Sequence, residues 1–138
     1  MRDSRSEAER WLRQAENDLE FGRLALREGF FAQACFIAQQ SAEKALKSLA
    51  YAAGERVVLG HSLVELSARL RPHLPAMAEL LELAGILDQY YVATQYPNGL
   101  PGGTPFEAFS QRQAREAIEA AERFLALAAD AGPIPSST

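Results

Sequence analysis

The sequence predicts an all-α fold, an up-and-down bundle of about five helices. Apolar residues recur at spacings of three and four over several long stretches, which is the period of an amphipathic helix. Helix start and stop signals bound those stretches, and no window alternates apolar and polar residues as a strand would. A chain of 138 residues is typical of one domain. We therefore assign residues 1–131 to a single helical domain and residues 132–138, "GPIPSST", to a flexible C-terminal tail.

The first helix is predicted to begin at Ser6, where Glu9 completes a capping box, with Ser4 as a second candidate for the cap. An apolar stripe follows at helical spacing, formed by Ala8, Trp11, Leu12, Ala15, Leu19, Gly22 and Leu26. Gly29 supplies the left-handed residue that ends this helix. Because the connection is so short, the second helix is expected to run antiparallel to the first.

The second helix contains "CFIAQQSAEKALKSLAY", residues 35–51, and carries a seam of small residues. The seam consists of Cys35, Ala38, Ala42, Ala45, Leu49 and Ala52. Small side chains allow another helix to approach closely. More than one face of the helix is apolar, because the seam is flanked by Phe36, Ile37, Leu46 and Tyr51. This pattern is typical of a helix at the centre of a bundle or at a dimer interface. Cys35 is interpreted as a small buried apolar residue.

An irregular crossing segment, "ERVVLGH" at residues 55–61, leads to a short third helix. That helix is predicted to begin with Ser62 as its cap and Glu65 as the box partner, and to end before Pro72. Pro75 suits the first turn of a fourth helix. The apolar stripe of this fourth helix consists of Met77, Leu80, Leu81, Ala84, Leu87 and Tyr91.

The fifth helix is predicted to begin at Ser110, with Gln113 as its box partner, and to stop at residues 132–133, Gly-Pro. The loop before it, "TQYPNGLPGGTP" at residues 94–105, is rich in proline and glycine. A structureless loop of this length is uncommon in a small bundle and often serves a function. Tyr96 in this loop is a candidate for contact with a ligand or subunit.

Composition and charge exclude several classes of protein. The net charge of -4 and the pI of about 5.2 do not suit a protein that follows duplex DNA along its phosphates, which needs a basic face. The single cysteine cannot form an intrachain disulfide and fits a reducing cytoplasm. No apolar run is long enough to span a bilayer, and the charged start "MRDSRSEAERW" does not suit a signal peptide. We therefore expect a cytoplasmic protein without a membrane segment.

Lys44 and Lys47 are the only lysines in the chain and lie three residues apart on the second helix. One interpretation is an exposed rim, with Glu43 pairing Lys47 at a spacing of four. The other interpretation is a phosphate contact, to which Gln40, one turn earlier, would contribute. The residue pattern leaves both open.

Three segments together resemble the HEPN domain family of small bacterial and archaeal proteins. These are "QQSAEKALKSL", then "GHSLVEL" after the crossing segment, then "YYVATQYPNG" before an Ala-rich last helix. The resemblance extends over the chain from the first helix to the fifth. It implies a helical bundle that forms a homodimer and that pairs with a separately encoded minimal nucleotidyltransferase. It also implies a nucleotide-related or toxin–antitoxin setting and, in some branches, ribonuclease activity.

The ribonuclease branches of this family use an Arg, four to six further residues, and then a His. Arg56, "VVLG" and His61 match that spacing here. In such a pair the His can take a proton from a ribose 2′-hydroxyl, and the Arg can neutralise charge that develops on the phosphate. The position in the crossing segment, just before the cap at Ser62, favours a structural His with a solvated Arg nearby.

The leading prediction is a homodimeric, non-enzymatic binding module that acts with a separately encoded nucleotidyltransferase. Nucleotide or partner contacts are predicted at Gln40, Lys44, Lys47, Gln95 and Tyr96. Gln95 stands where many relatives carry an Arg before the Tyr-Pro pair, so it offers hydrogen bonds without charge. Two alternatives stay open: a metal-independent endoribonuclease and a dimeric helical adaptor without a ligand. No metal or cofactor is predicted, because two His and one Cys are widely separated.

Overall fold

The computed structural model describes residues 3–131, and its regular elements are α-helices and short 3₁₀ turns. The elements are α1 Ser4–Arg27, α2 Phe31–Ala52, α3 Leu63–Leu70, a 3₁₀ turn Pro75–Leu80, α4 Leu81–Asp88, α5 Tyr90–Ala93, a 3₁₀ turn Pro97–Gly99, α6 Pro105–Ala108 and α7 Gln111–Asp130. No strand occurs within these described residues, so the predicted all-α class is confirmed. The predicted helix stop at residues 132–133 and the predicted tail lie outside the described residues.

The helix α1 begins one turn earlier than its predicted cap. The Asp3 side chain accepts a hydrogen bond of 2.7 Å from the backbone of Ser6, and its negative charge also suits a helix N-terminus. Ser6 is therefore inside the helix, and its predicted role as the cap is wrong. The other end is as predicted: Gly29 has a φ of +85°, and the N–H of Phe30 donates to the carbonyl of Ala25 at 2.9 Å.

The helix α2 lies at the centre of the bundle and packs against α1, α3 and α7. The small residues of its seam, from Cys35 to Ala45, have no exposed surface. Two buried hydroxyls of α2 form hydrogen bonds with α1. Ser41 donates to the carbonyl of Ala15 at 2.8 Å, and Ser48 donates to the carbonyl of Ala8 at 2.6 Å. Packing within one chain therefore accounts for the apolar faces of α2.

The predicted fourth helix is broken into the 3₁₀ turn Pro75–Leu80, α4 and α5, so the prediction of one continuous helix is wrong. The chain departs from regular helix next to Asp88, whose side chain binds the start of α3. Its carboxylate accepts hydrogen bonds from the backbone of Leu63 at 2.8 Å and Val64 at 3.1 Å, and from the Ser62 hydroxyl at 3.0 Å. Ser62 caps α3 as predicted, but Asp88 from α4 satisfies its first free N–H groups.

The helix α7 begins as predicted. The backbone of Gln113 donates to the Ser110 hydroxyl at 3.1 Å, and the Gln113 side chain accepts from the backbone of Ser110 at 2.9 Å. The loop before it, residues 94–105, is more ordered in conformation than predicted, because it contains the 3₁₀ turn Pro97–Gly99. Within residues 3–131, no helix combines the length and hydropathy needed to cross a membrane.

Replacing Asp88 by alanine is expected to lower the free energy of unfolding by about 2 kcal/mol, because the start of α3 loses its acceptor. Urea denaturation followed by circular dichroism measures this change. Glu82→Ala is the matched control, since Glu82 is exposed on the same helix and makes no hydrogen bond or ion pair with any described residue. Equal losses in the two variants would contradict the capping role of Asp88.

Candidate functional site

The charged side of α2 forms the candidate site. The polar residues along this side follow one another at spacings of three, one and three over about two turns, and they are Gln40, Glu43, Lys44 and Lys47. We call these four residues the polar row. Trp11 of α1 contacts the row from one flank, and the crossing segment contacts it from the other flank.

Glu43 is the centre of the polar row. One carboxylate oxygen, Oε2, lies 3.2 Å from Nζ of Lys47, and the other, Oε1, lies 3.1 Å from Nδ1 of His61. The side chains of Glu43 and Lys47 are only 5% and 8% exposed. A buried carboxylate needs such partners, because an unpaired charge away from water is strongly unfavourable. Glu43 thus ties α2 to the crossing segment.

Lys47 forms the predicted ion pair with Glu43, but it is not on an exposed rim, so that part of the interpretation is wrong. Its Nζ lies 5.4 Å from the centroid of the Trp11 ring, where a cation–π attraction stabilises it. The Trp11 ring also stacks on Tyr51, with the centroids 5.9 Å apart. The ammonium of Lys47 is therefore held between an aromatic ring and a carboxylate.

His61 is exposed but firmly held. Its side chain is 60% exposed, and its ring stacks on Tyr91 with the centroids 5.2 Å apart and an angle of 19°. Its carbonyl accepts a hydrogen bond of 2.9 Å from the side chain of Gln39, which is fully buried. Because Nδ1 is engaged by Glu43, the other ring nitrogen, Nε2, is the one left for an outside group.

Lys44 lies on the flank of the polar row that borders α1, where it pairs with Asp18. Asp18 also accepts a hydrogen bond of 2.8 Å from Gln14. An open groove of about 760 Å³ lies beside this pair. The groove is lined by Glu7, Arg10, Trp11, Arg13, Gln14, Asn17 and Lys44. We call it the basic groove, since it holds three cationic side chains and one carboxylate.

The remaining predicted residues do not join the basic groove. The Gln40 amide donates to the side chain of Gln39 at 2.7 Å. The Gln95 amide donates to the carbonyl of Tyr91, one turn earlier in its own chain. Tyr96 is 55% exposed. Arg56 is exposed and makes no hydrogen bond or ion pair within residues 3–131.

Sequence reasoning missed the residues that α1 contributes to the basic groove. Arg10, Gln14 and Asn17 recur at spacings of four and three, which places them on one polar side of α1. That periodicity was available in the sequence. The sequence did not indicate that this side borders Lys44, because the rotation of α1 about its own axis is set by its packing on α2.

Other chemistry finds little support among the described residues. No three His, Cys, Asp or Glu side chains come together as a metal site within residues 3–131. Cys35 is fully buried, and burial raises the pKa of its thiol to about 12. The thiolate is the reactive form of cysteine, so this side chain acts as a buried apolar group.

The fold and the site define a small helical-bundle protein with a polar, aromatic-flanked surface on its central helix. The chain belongs to the HEPN domain family, whose model matches residues 8–131. The resemblance noted in the sequence is thereby confirmed. No curated protein matches the chain.

Solved structures similar to this chain include the following three. TT1696 from Thermus thermophilus is 39% identical, with a TM-score of 0.85 over 90% of this chain and 97% of that one. ST0689, described as an archaeal HEPN homologue, is 36% identical, with a TM-score of 0.73 over 94% of this chain and 97% of ST0689. An HEPN domain protein from Thermotoga maritima, tm0613, is 30% identical, with a TM-score of 0.71 over 88% and 96%.

The raised pKa of Cys35 predicts a loss of stability in alkali. The ordinary value is 9.0, so the unfolded chain releases the thiol proton above about pH 9 while the folded chain keeps it up to about pH 12. The free energy of unfolding is therefore unaffected below pH 9 and falls by up to about 1.4 kcal/mol per pH unit between these values. Urea denaturation of the chain and of Cys35→Ala as a function of pH measures the difference. Identical alkaline slopes would contradict the prediction.

Proposed function

We propose that this HEPN-family chain is a non-enzymatic, homodimeric binding module. It associates with a nucleotide and acts with a separately encoded nucleotidyltransferase in a toxin–antitoxin-like setting. The observation that supports this function best is the basic groove, because it combines cationic side chains, an indole ring and amide groups in one open cleft. These are the groups that bind phosphates and stack on bases.

The groove is basic although the chain as a whole is acidic. The residues that line the groove include three cations and one carboxylate, which are Arg10, Arg13, Lys44 and Glu7. The volume of about 760 Å³ lies within the range of about 300–1,000 Å³ that is typical of small-molecule sites. A local cationic surface of this kind suits a single nucleotide or a short single strand better than a duplex.

The cations of the groove differ in their availability. Arg10 is 2.7 Å from Glu7, and Lys44 is paired with Asp18, so both are partly neutralised. Arg13 is exposed and makes no hydrogen bond or ion pair with the rest of residues 3–131. Arg13 is therefore the side chain proposed to contact phosphate first. Lys47 lies on the Trp11 ring and is proposed to support that ring, since it is buried.

Arg13→Glu is expected to weaken the binding of ATP by about tenfold or more, because a charge-assisted contact is replaced by repulsion. Isothermal titration calorimetry without added metal ions measures the affinity. Arg115→Glu is the matched control: Arg115 is an exposed arginine on α7, outside the basic groove, that likewise has no ion pair among the described residues. Equal ATP affinities of the two variants would contradict the proposal that the basic groove is the nucleotide site.

The partner is tested separately. Native mass spectrometry of the tagged chain, purified gently from its own host, is expected to give a dimer that carries a nucleotidyltransferase. A dimer that carries no nucleotidyltransferase but binds ATP would contradict the proposed partner and leave the proposed nucleotide site in the basic groove standing. A monomer that binds no nucleotide would contradict the binding module altogether.

The Glu43–His61 pair favours a second candidate, a metal-independent endoribonuclease. A carboxylate that holds one ring nitrogen and leaves the other for substrate is an arrangement that general bases use. In the reaction, the 2′-hydroxyl proton passes to Nε2 of His61 while the 2′-oxygen forms a bond to phosphorus. The bond from phosphorus to the 5′-oxygen breaks, and that oxygen takes a proton from water.

Under this second candidate, His61→Ala is expected to lower RNA cleavage about 100-fold or more, since general base catalysis is lost. A fluorescent single-stranded oligoribonucleotide in the presence of a chelator measures the rate. His73→Ala is the matched control, because His73 is the chain's other histidine and lies in the turn after α3. Cleavage that survives the loss of His61 would point to a contaminating nuclease.

A further inference from the structure

A second cavity, of about 320 Å³, lies beside the C-terminal half of α1. It is lined by Phe21, Leu24, Ala25, Glu28, Phe30 and Gln33. We call it the apolar pocket, because its three large hydrocarbon side chains are exposed: Phe21 by 54%, Leu24 by 43% and Phe30 by 57%. Single exposed apolar residues are common on protein surfaces, whereas a cluster of them around a cavity is typical of a binding site.

The apolar pocket and the basic groove lie in line on one side of α1. The residues of α1 along this side follow one another at alternating spacings of four and three, and they are Arg10, Gln14, Asn17, Phe21, Leu24 and Glu28. On α2, Lys44 of the groove and Gln33 of the pocket are eleven residues apart, which is close to three full turns. Asn17 of the groove and Phe21 of the pocket are separated along α1 by about 6 Å. One ligand can therefore reach both cavities.

The two cavities differ in charge. The basic groove holds three cations and one carboxylate, whereas the only charged group among the described residues that line the apolar pocket is the carboxylate of Glu28. A phosphate is favoured at Arg13 and disfavoured in the apolar pocket, because it would lose water there without gaining a cation. A polynucleotide strand that continued along α1 would place a phosphate in that pocket. The two cavities thus suit a ligand with one phosphate end and one apolar end.

We propose that the ligand of this chain is a nucleotide that carries an apolar chain, with its phosphate at Arg13 and its apolar chain in the apolar pocket. The distance along α1 from Arg13 to Leu24 is about 16 Å, so the apolar chain has to be joined to the phosphate by an extended linker. Covering Phe21, Leu24 and Phe30 removes apolar surface from water, which favours binding in proportion to the area covered. This inference rests on the proposed association with nucleotides and adds the class of nucleotide.

Coenzyme A and octanoyl-coenzyme A are the probes, because they share one nucleotide and one linker and differ only in the apolar chain. Isothermal titration calorimetry on the full chain is expected to show about tenfold tighter binding of the octanoyl form. Arg13→Glu is expected to weaken the binding of both probes alike, by about tenfold or more. Phe21→Ser combined with Leu24→Ser is expected to abolish the difference between the probes.

Phe106→Ser is the matched control for the double variant, because Phe106 is an exposed phenylalanine on α6, outside both cavities. Urea denaturation followed by circular dichroism establishes that each variant is folded. A series of acyl chains from butanoyl to octanoyl tests the unaltered chain in addition. Its affinity is expected to rise about twofold or more for each added methylene group. A series without any rise would overturn the proposal independently of the variants.

The remaining outcomes separate this proposal from the proposed function. Equal affinities for the two probes, or binding of ATP but of neither probe, would overturn the proposal while the association with nucleotides stands. If neither ATP nor either probe binds, the proposed function and this proposal both fall. Sedimentation equilibrium tests another occupant of the apolar pocket: a double variant that turns a dimer into a monomer would show that a second copy of the chain covers Phe21 and Leu24, and would overturn the proposal.

Discussion

The close approach of α1 to α2 is the constraint on which the site depends. The seam residues of α2 from Cys35 to Ala45 are small and have no exposed surface, and two neighbouring hydroxyls, on Ser41 and Ser48, donate to carbonyls of α1. Together with the packing of the small seam residues, those bonds fix the distance between α1 and α2 and the rotation of α1 about its own axis. As a result the indole of Trp11 lies against Lys47, and the carboxylate of Asp18 meets Lys44. A larger residue in the seam would separate these pairs as well as loosen the core.

The second organising element is a single buried carboxylate. Glu43 is removed from water, so its two oxygens have to be satisfied, and the partners come from different places in the chain. Lys47 is its neighbour one turn along α2, whereas His61 belongs to an irregular segment that lacks helical hydrogen bonds of its own. The pair between Glu43 and His61 thus ties the crossing segment to α2 and gives the exposed imidazole a defined orientation.

Charge is distributed unevenly over this HEPN-family chain. The overall balance is acidic, with 18 Asp and Glu against 14 Lys and Arg, yet the basic groove gathers three cations around one indole. Two of those cations carry an acidic partner, which keeps the folded surface stable without a ligand. The Arg10–Glu7 pair can open for a phosphate at small expense in free energy, because exposed ion pairs contribute about 1 kcal/mol or less.

The sequence alone determined the all-α class and the Ser62 and Ser110 caps, because these depend on short-range periodicity and local hydrogen bonding. The family was indicated by three motifs that resemble it, and the place of α2 was left open between the bundle centre and a dimer interface. The sequence also identified His61 and Lys44 as residues of interest. Only the tertiary structure decided that Lys47 is buried, that Asp88 caps α3 and that Arg13 borders Lys44. Each of these depends on how one helix is rotated against another. That rotation is set by the packing of many small side chains at once, and no local pattern in the sequence records it.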